Sequence, residues 1–330
     1  MTSTHRVGIL GLGAYLPERV MTNDEWAEHV DTSDEWIRTR TGIERRRVAA
    51  DAETTVDLAA EAATDALDDA GITIDEIGEI IVATDTPEVY LPDTAAHLQH
   101  RLGAREVPTF DLAGSGCAGF ILGLDVARSR IRPGGRKILL VGVELLTRLM
   151  NWSDRTTCVL FGDAAGAAVV GAGETATEVL AFTAGTDGSK ADILTLEMGG
   201  TRAPVTLEGV QVNAHKKIVM KGREVFREAV ARMGGAAKEV LDQAGVDISE
   251  VALVIPHQAN LRIIRAVQTF LGVPEEKVVV NVRDYGNTGS ASVPLALWEA
   301  RNQGRIKKGD LLLLTAFGAG FHWAAMLLRA

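Results

Sequence analysis

Three polar side chains in this sequence have the types and settings needed to attack a carbonyl carbon together. Cys117 lies in TFDLAGSGCAGF, which predicts a strand, a Gly/Ser-rich turn and then a helix. Because a helix N-terminus offers free N–H groups and the positive end of the dipole, we expect a lowered pKa and a reactive thiolate. His257 follows the buried run ALVIP, and Asn287 lies in DYGNTGSAS after the next β-rich run, KVVVNV.

Each of these residues also has an ordinary structural explanation. Most free cysteines are small buried hydrophobes, and a lone histidine or a turn asparagine beside a glycine is commonly structural. Their settings favour chemistry, because open α/β sheets gather reactive groups at the carboxyl ends of their strands. Cys158, in TTCVLF, lies inside a β-rich run and is predicted to belong to the core.

The order Cys, His, Asn along the chain fits two kinds of enzyme. A papain-like hydrolase uses this order, but its cysteine is flanked by Cys-Gly-Ser/Ala-Cys and an aromatic residue, and that signature is absent here. A hydrolase of that kind is also inconsistent with the duplicated α/β body described next. The sequence therefore favours acyl transfer through Cys117 over peptide hydrolysis.

The elements that must position these residues occur twice in the chain. The matching segments are 67–81 with 241–255, 97–112 with 266–282, and 117–131 with 292–306. The repeat is too long for a solenoid unit and indicates a duplicated domain. Helices alternate with β-rich runs, which predicts a parallel or mixed sheet with helices on both faces. We expect a five-layered α/β body whose halves span residues 1–174 and 175–330.

Composition excludes several classes of function. The 330 residues are 46% hydrophobic and carry a net charge of −10 with a pI near 5.3, so nucleic acid is not the expected partner. No signal peptide is visible, and no apolar run approaches the ~20 residues of a membrane helix. Two cysteines favour a reducing compartment, and we expect the cytoplasm.

The motifs carry a resemblance that covers essentially the whole chain. Cys117 in GCAGF, His257 in PHQANLRI and Asn287 in GNTGSAS resemble the catalytic triad of the β-ketoacyl-acyl-carrier-protein synthase III family. The likeness extends from VGILGLGAYLPERVMTNDEW to AFGAGFHW near the end. It implies a thiolase-like duplicated αβαβα five-layer fold with two pseudo-symmetric halves.

The resemblance also implies a mechanism. Cys117 would take an acyl group from acyl-CoA, with its own N–H and that of Ala319 forming the oxyanion hole. His257 and Asn287 would donate hydrogen bonds to the thioester carbonyl of malonyl-acyl-carrier-protein. The enolate formed on loss of carbon dioxide would attack the acyl-Cys117 and give a 3-oxoacyl thioester. Acyl-CoA is a substrate here, and neither a metal nor another cofactor is expected.

Substrate-binding residues follow from the same resemblance. Trp36 would stack on the adenine of CoA with Arg155 on its other face, and Arg40 is a phosphate partner. Further expected CoA or substrate contacts are Arg223, Phe226 and Arg262. A group of basic residues on this acidic chain could steer CoA and an acidic carrier protein towards the site. The group comprises Lys216, Lys217, Lys221, Arg223, Arg227 and Arg262. A homodimer is expected.

Four departures from the family pattern leave the acyl group and the acceptor open. The run from Asp111 to Cys117 is one residue longer than usual, and Arg223 replaces a usual asparagine. This chain has FGAGF where the family has FGGGF. Leu91 lies where the family often has a phenylalanine that closes the neighbouring subunit's acyl pocket. The alternative is a related acyltransferase of secondary metabolism that acylates a hydroxyl, an amine or a second acyl chain. The intact triad favours condensation and disfavours a non-catalytic subunit.

Overall fold

One mixed sheet runs through the molecule. The structure is a computed structural model that describes residues 6–132, 134–174 and 176–330. Its strands are β1 (Val7–Tyr15), β2 (Arg19–Thr22), β3 (Arg45–Val48), β4 (Ile77–Thr84), β5 (Thr109–Ala113), β6 (Lys137–Leu145), β7 (Asp163–Ala172), β8 (Thr177–Thr186), β9 (Leu194–Leu196), β10 (Ile218–Met220), β11 (Val251–Pro256), β12 (Leu311–Gly318) and β13 (His322–Arg329). Nine of them form the main sheet, in the order β11-β12-β13-β8-β1-β7-β6-β4-β5. β2 with β3, and β9 with β10, form small separate sheets.

Helices cover this sheet. They are α1 (Asn23–Ala27), α2 (Asp34–Thr41), α3 (Thr55–Ala70), α4 (Thr94–Arg101), α5 (Gly119–Arg130), α6 (Leu207–Gln211), α7 (Gly222–Ala244), α8 (Leu261–Leu271), α9 (Val282–Tyr285) and α10 (Ser292–Asn302). Over the described ranges, none of them combines the length and the apolar character needed to cross a membrane.

The helices and the two halves of the sheet alternate in five layers. α3 and α4 pack on one face of β4, β6 and β7, and α5 with α10 packs between the two halves. α7 and α8 cover the far side of β11 and β12. Along β12, Leu312 and Leu314 face the central helices, whereas Leu313 faces α7, so both faces are buried and the strand is apolar throughout. The predicted fold class is confirmed.

The duplication is visible in local geometry. Gly71 caps the C-terminus of α3 and Gly245 that of α7, and both glycines have φ 65° and ψ 34°. After each, a capping box at a short 3₁₀ turn leads directly into β4 or β11. Residue 175, at the boundary predicted between the halves, lies outside the described residues, as do residues 1–5. The division at 174/175 stays a prediction.

Two β-rich runs differ from the sequence prediction. Residues 278–281 of KVVVNV form one bridge with β11, from Val278 to Val254, and α9 begins at Val282. The reason is Gln258, whose side chain accepts the N–H groups of Asn281 and Val282 at 2.9 and 3.1 Å where a ladder would continue. The segment Cys158–Leu160 is a 3₁₀ turn and not a strand. Cys158 is nonetheless fully buried, as expected of a core residue.

Candidate active site

The central cavity, of about 1290 Å³, brings together the residues that the sequence singled out for chemistry. Cys117 follows β5, His257 follows β11, and Ala319 follows β12, so each comes from the end of a strand. Asn287 follows α9 at the same end of the sheet. All four line the cavity. Trp36, Arg40, Leu91, Arg223, Phe226 and Arg262 line it as well.

The turn that carries the nucleophile accommodates the extra residue before Cys117. Gly114 and Gly116 have φ values of +69° and +58°, at which a residue with a side chain would be strained. Between them, the Ser115 hydroxyl donates to the Leu112 carbonyl at 2.8 Å and closes the turn. Cys117 then lies in the short 3₁₀ turn Gly116–Ala118, which leads into α5.

The expected lowering of the Cys117 pKa is wrong. Burial raises the pKa of the Cys117 thiol strongly, and the carboxyl groups of Asp85 and Glu144 raise it further. A weak contact from Sγ to Asn287 Oδ1, at 4.0 Å, acts in the opposite direction but is outweighed. Desolvation and two nearby acidic groups therefore dominate over the helix terminus, and the resting thiol is protonated at neutral pH.

His257 is a neutral hydrogen-bond donor in this setting. It is buried, and burial lowers its pKa to about 3, so the imidazole is uncharged at neutral pH. Its ring Nδ1 lies 2.6 Å from the Ser292 hydroxyl, and its backbone N–H donates to the Thr315 carbonyl at 2.8 Å. When Ser292 donates to Nδ1, the proton is on Nε2, which can then donate to a substrate oxygen.

Asn287 is held so that its amide can also donate. Its backbone N–H bonds the Leu160 carbonyl at 2.8 Å, and its Oδ1 accepts the Gly289 N–H at 2.9 Å. Because Oδ1 is already bonded to a backbone donor, the network assigns Nδ2 as the group free to donate in the cavity. His257 and Asn287 thus offer two neutral donors beside Cys117.

The two backbone segments expected to form an oxyanion hole lie against each other. A methyl group on Gly116 would come within 2.7 Å of the Ala319 nitrogen, and one on Gly318 would collide with the Cys117 nitrogen. The residues that precede Cys117 and Ala319 therefore pack backbone against backbone. Two adjacent N–H groups suit an oxyanion that develops on a carbonyl attacked by Sγ.

We expect Gly318→Ala to slow acylation of Cys117 by about 100-fold, because the added methyl group must displace the Cys117 N–H from its place. The measurement is the single-turnover rate of acyl loading, followed by intact-protein mass. Gly235→Ala is the matched control, since a methyl group there meets no atom within 4 Å. Equal loading rates in the two variants would contradict this role for the backbone.

The predicted adenine site is only partly assembled at the cavity. The Arg40 guanidinium lies 4.6 Å from the Trp36 ring centroid, and that of Arg155 lies 5.2 Å from it. Arg155 does not line the cavity, and it bonds the Asp31 carbonyl at 2.9 Å instead. At another part of the wall, Arg262 lies 5.8 Å from the ring of Phe226.

Sequence reasoning missed two acidic residues of this site. Asp85 directly follows β4 and lines the cavity, and Glu144 lies near the end of β6 and lines it as well. The signal was present in IIVATD and VGVE, because each acid stands at the carboxyl end of a buried run.

Two family models match the chain. One, for 3-oxoacyl-[acyl-carrier-protein] synthase III, matches residues 110–188, and the model of the C-terminal part of the same enzyme matches residues 241–330. The β-ketoacyl-[acyl-carrier-protein] synthase III of Caldanaerobacter subterraneus is 47% identical over 323 residues, which cover 98% of this chain and 97% of the relative.

Solved structures give the same result. The 3-oxoacyl-[acyl-carrier-protein] synthase III of Aquifex aeolicus superposes with a TM-score of 0.90 at 45% identity, covering 98% of this chain and 100% of the other. A priming β-ketosynthase from the R1128 polyketide pathway superposes with a TM-score of 0.89 at 37% identity, covering 100% and 98%. The similarity thus extends over both halves of the chain.

Proposed function

The chain belongs to the 3-oxoacyl-[acyl-carrier-protein] synthase III family, and we propose that it condenses an acyl group from acyl-CoA with malonyl-acyl-carrier-protein. The family, the thiolase-like fold and the acyltransferase class predicted from the motifs are confirmed. The single observation that supports this reaction most strongly is the meeting of Cys117, His257 and Asn287 in one cavity.

In the first half-reaction, Cys117 Sγ attacks the thioester carbonyl of acyl-CoA. The N–H groups of Cys117 and Ala319 stabilise the oxyanion of the tetrahedral intermediate. The C–S bond to CoA breaks as the carbonyl re-forms, and the proton lost from Sγ ends on the CoA sulfur, so CoA leaves as the free thiol. The acyl group remains on the cysteine. Covalent capture divides one difficult transfer into two easier steps and frees the cavity mouth for the second substrate.

In the second half-reaction, the malonyl thioester carbonyl accepts hydrogen bonds from His257 Nε2 and Asn287 Nδ2. These bonds strengthen as charge builds on that oxygen during loss of carbon dioxide, so they favour the transition state over the bound substrate. The enolate carbon then attacks the acyl-Cys117, and the Cys117 thiolate leaves. Neutral donors suit this step, because they stabilise a developing anion without giving up a proton to it.

Substrate binding is assigned to the walls of the cavity and, for Arg155, to a residue that lies against Trp36 outside the cavity lining. Trp36, Arg40 and Arg155 offer a flat ring and cationic groups to the adenine and phosphates of CoA. The acyl and pantetheine portions would contact Arg223, Phe226 and Arg262. The basic residues predicted to steer the substrates would attract an acidic carrier protein, although Lys217 is already paired with Glu197 at 2.8 Å. No cofactor other than the acyl-CoA substrate is required.

A homodimer in the cytoplasm is the expected form of the enzyme. Tyr90 and Leu91 are 85% and 88% exposed in a single chain, yet they line the cavity. Large apolar side chains at this exposure favour burial against a second copy. In that arrangement Leu91 would reach the acyl site of the neighbouring subunit.

The second candidate function is transfer of the acyl group to a hydroxyl, an amine or a second acyl chain. The cavity contains a carboxyl group, Asp85, which a condensing mechanism does not call for but a hydroxyl or amine nucleophile could use. Arg223 and the methyl group of Ala319 also change the cavity wall relative to the family pattern. These observations bear on the choice of acceptor.

Intact-protein mass spectrometry separates the two functions. The enzyme is incubated with a panel of acyl-CoAs and then with malonyl-acyl-carrier-protein, with Cys117→Ala as the control. We expect wild type to gain one acyl mass and malonyl-acyl-carrier-protein to discharge it as a 3-oxoacyl product, and we expect the variant to gain none. Discharge only by a hydroxyl or amine would support the second function. Failure of any acyl-CoA to load wild type would refute both.

A further inference from the structure

A buried serine from the second half of the chain contacts the nucleophile turn of the first half. Ser290 lies in the short 3₁₀ turn Gly289–Ala291, between Asn287 and the start of α10. It is fully buried, and its hydroxyl donates to the Gly116 carbonyl at 3.1 Å. The mechanism above assigns no role to Ser290, although its hydrogen bond reaches the residue directly before the nucleophile.

The bonded carbonyl belongs to the same peptide group as the Cys117 N–H. This peptide is trans, so it is planar and its C=O and N–H bonds point in opposite directions. The Gly116 carbonyl also accepts the Gly119 N–H, so two donors hold the carbonyl side. On the other side, the Cys117 nitrogen faces the backbone of Gly318, where an added methyl group would collide with it. Holding the carbonyl therefore sets the direction of the N–H that is expected in the oxyanion hole.

Glu144 determines where the Ser290 hydrogen points. Glu144 Oε1 lies 3.0 Å from the Ser290 hydroxyl, which has one hydrogen and a second acceptor in the Gly116 carbonyl. When Glu144 is protonated and donates from Oε1, the Ser290 hydrogen is left for that carbonyl. The other oxygen, Oε2, accepts the Thr86 hydroxyl at 2.7 Å. Burial, with the Asp85 charge added to it, raises the pKa of Glu144 to about 8, so the protonated form predominates at neutral pH.

We propose that Ser290, oriented by Glu144, is a positioning residue that directs the Cys117 N–H at the oxyanion. Its hydroxyl fixes the peptide from the carbonyl side. The same hydrogen bond polarises the peptide and strengthens its N–H as a donor, because linked hydrogen bonds reinforce one another. Neither side chain makes or breaks a covalent bond. The inference rests on the proposed function, since it concerns the oxyanion formed when Cys117 attacks acyl-CoA.

The first experiment compares acylation with simple alkylation of the same thiol. For Ser290→Ala we expect the loading rate at saturating acyl-CoA to fall about 10-fold, with the half-saturating concentration unchanged, because the weakened bond acts mainly in the transition state. Alkylation of Cys117 by iodoacetamide forms no oxyanion and should keep its wild-type rate. Ser129→Ala is the matched control. It removes an exposed hydroxyl that donates to the Asp125 carbonyl at 2.7 Å, and it should change neither rate.

The carbonyl of the acyl-enzyme gives a spectroscopic readout. Cys117 is loaded with an acyl group whose carbonyl carbon is isotopically labelled, and the infrared difference spectrum against unlabelled acyl-enzyme gives the carbonyl stretching frequency. A hydrogen bond from the Cys117 N–H lowers this frequency, so Ser290→Ala should shift it upward and Ser129→Ala should not. A serine that only filled space beside the turn would leave the frequency unchanged.

Substitutions of Glu144 test the second member of the pair. Glu144→Gln keeps a neutral donor for Ser290 and should slow loading less than Ser290→Ala does. Glu144→Ala removes that donor and should slow loading at least as much as Ser290→Ala. If Glu144→Gln is as slow as Glu144→Ala, a neutral donor is not what this position supplies, and the role assigned to Glu144 is wrong.

Failure of this inference is distinguishable from failure of the proposed function. A merely structural Ser290 predicts that alkylation slows together with loading and that the half-saturating concentration of acyl-CoA rises. Equal loading rates with an unshifted carbonyl frequency would show that Ser290 has no role in this step. Either result overturns the inference, and the function stands as long as wild type loads an acyl group. If wild type itself never loads on Cys117, the proposed function is wrong.

Discussion

A His257→Ala enzyme is expected to load an acyl group on Cys117 at close to the wild-type rate and to condense it about 1000-fold more slowly. The reason is that the neutral imidazole donates a hydrogen bond to the malonyl thioester and takes no proton from the cysteine. Loading is measured by intact-protein mass, and condensation by the 3-oxoacyl product in a single turnover from the preloaded enzyme.

Two comparisons make this result informative. His100→Ala removes an exposed histidine at the end of α4 and should change neither rate. Ser292→Ala removes the 2.6 Å partner of Nδ1 and should lower condensation by less than His257→Ala, because the ring stays in place with a less defined tautomer. If His257→Ala slows loading as much as condensation, then His257 also acts in the acylation of Cys117, and its assignment to the second half-reaction alone is wrong.

The positions of the reactive residues were predictable from the sequence, whereas their electrostatics were not. Cys117 and His257 each follow a β-rich run, and strand ends meet at one edge of an α/β sheet. The direction of the Cys117 pKa depends on Asp85 and Glu144, which lie on other strands. No local pattern around the cysteine reveals which acids from other strands lie near it.

The same contrast holds for the fold. The repeat predicted two similar halves, and the matching ends of α3 and α7 at Gly71 and Gly245 reproduce it in detail. Strand propensity gave the wrong prediction for residues 278–281, where the side chain of Gln258 takes the place of the backbone hydrogen bonds of a strand. It failed also at Cys158–Leu160, which form a turn despite their β-branched and apolar neighbours. Both failures arise from tertiary contacts that a local reading cannot include.

Arg46→Ala is expected to lower the free energy of unfolding by about 3–5 kcal/mol, the largest stability effect that we predict. Arg46 is fully buried, and burial lowers its pKa to about 10. Its guanidinium donates to Asn23 Oδ1 at 2.7 Å and to the Val159 carbonyl at 2.6 Å, and it lies 4.5 Å from the Trp26 ring centroid. Truncation leaves both acceptors unpaired and opens a cavity.

Removing Arg46 should also disturb the active site. Its guanidinium bonds the segment whose next residue positions Asn287. The Val159 carbonyl precedes Leu160, whose own carbonyl accepts the Asn287 N–H at 2.8 Å. Urea unfolding of wild type, Arg46→Ala and Arg46→Met measures the effect. Methionine refills the space and should recover about 1–2 kcal/mol of the loss without satisfying the two acceptors. An alanine variant less than 1 kcal/mol below wild type would show that water replaces the guanidinium, and the link to Asn287 would then fail.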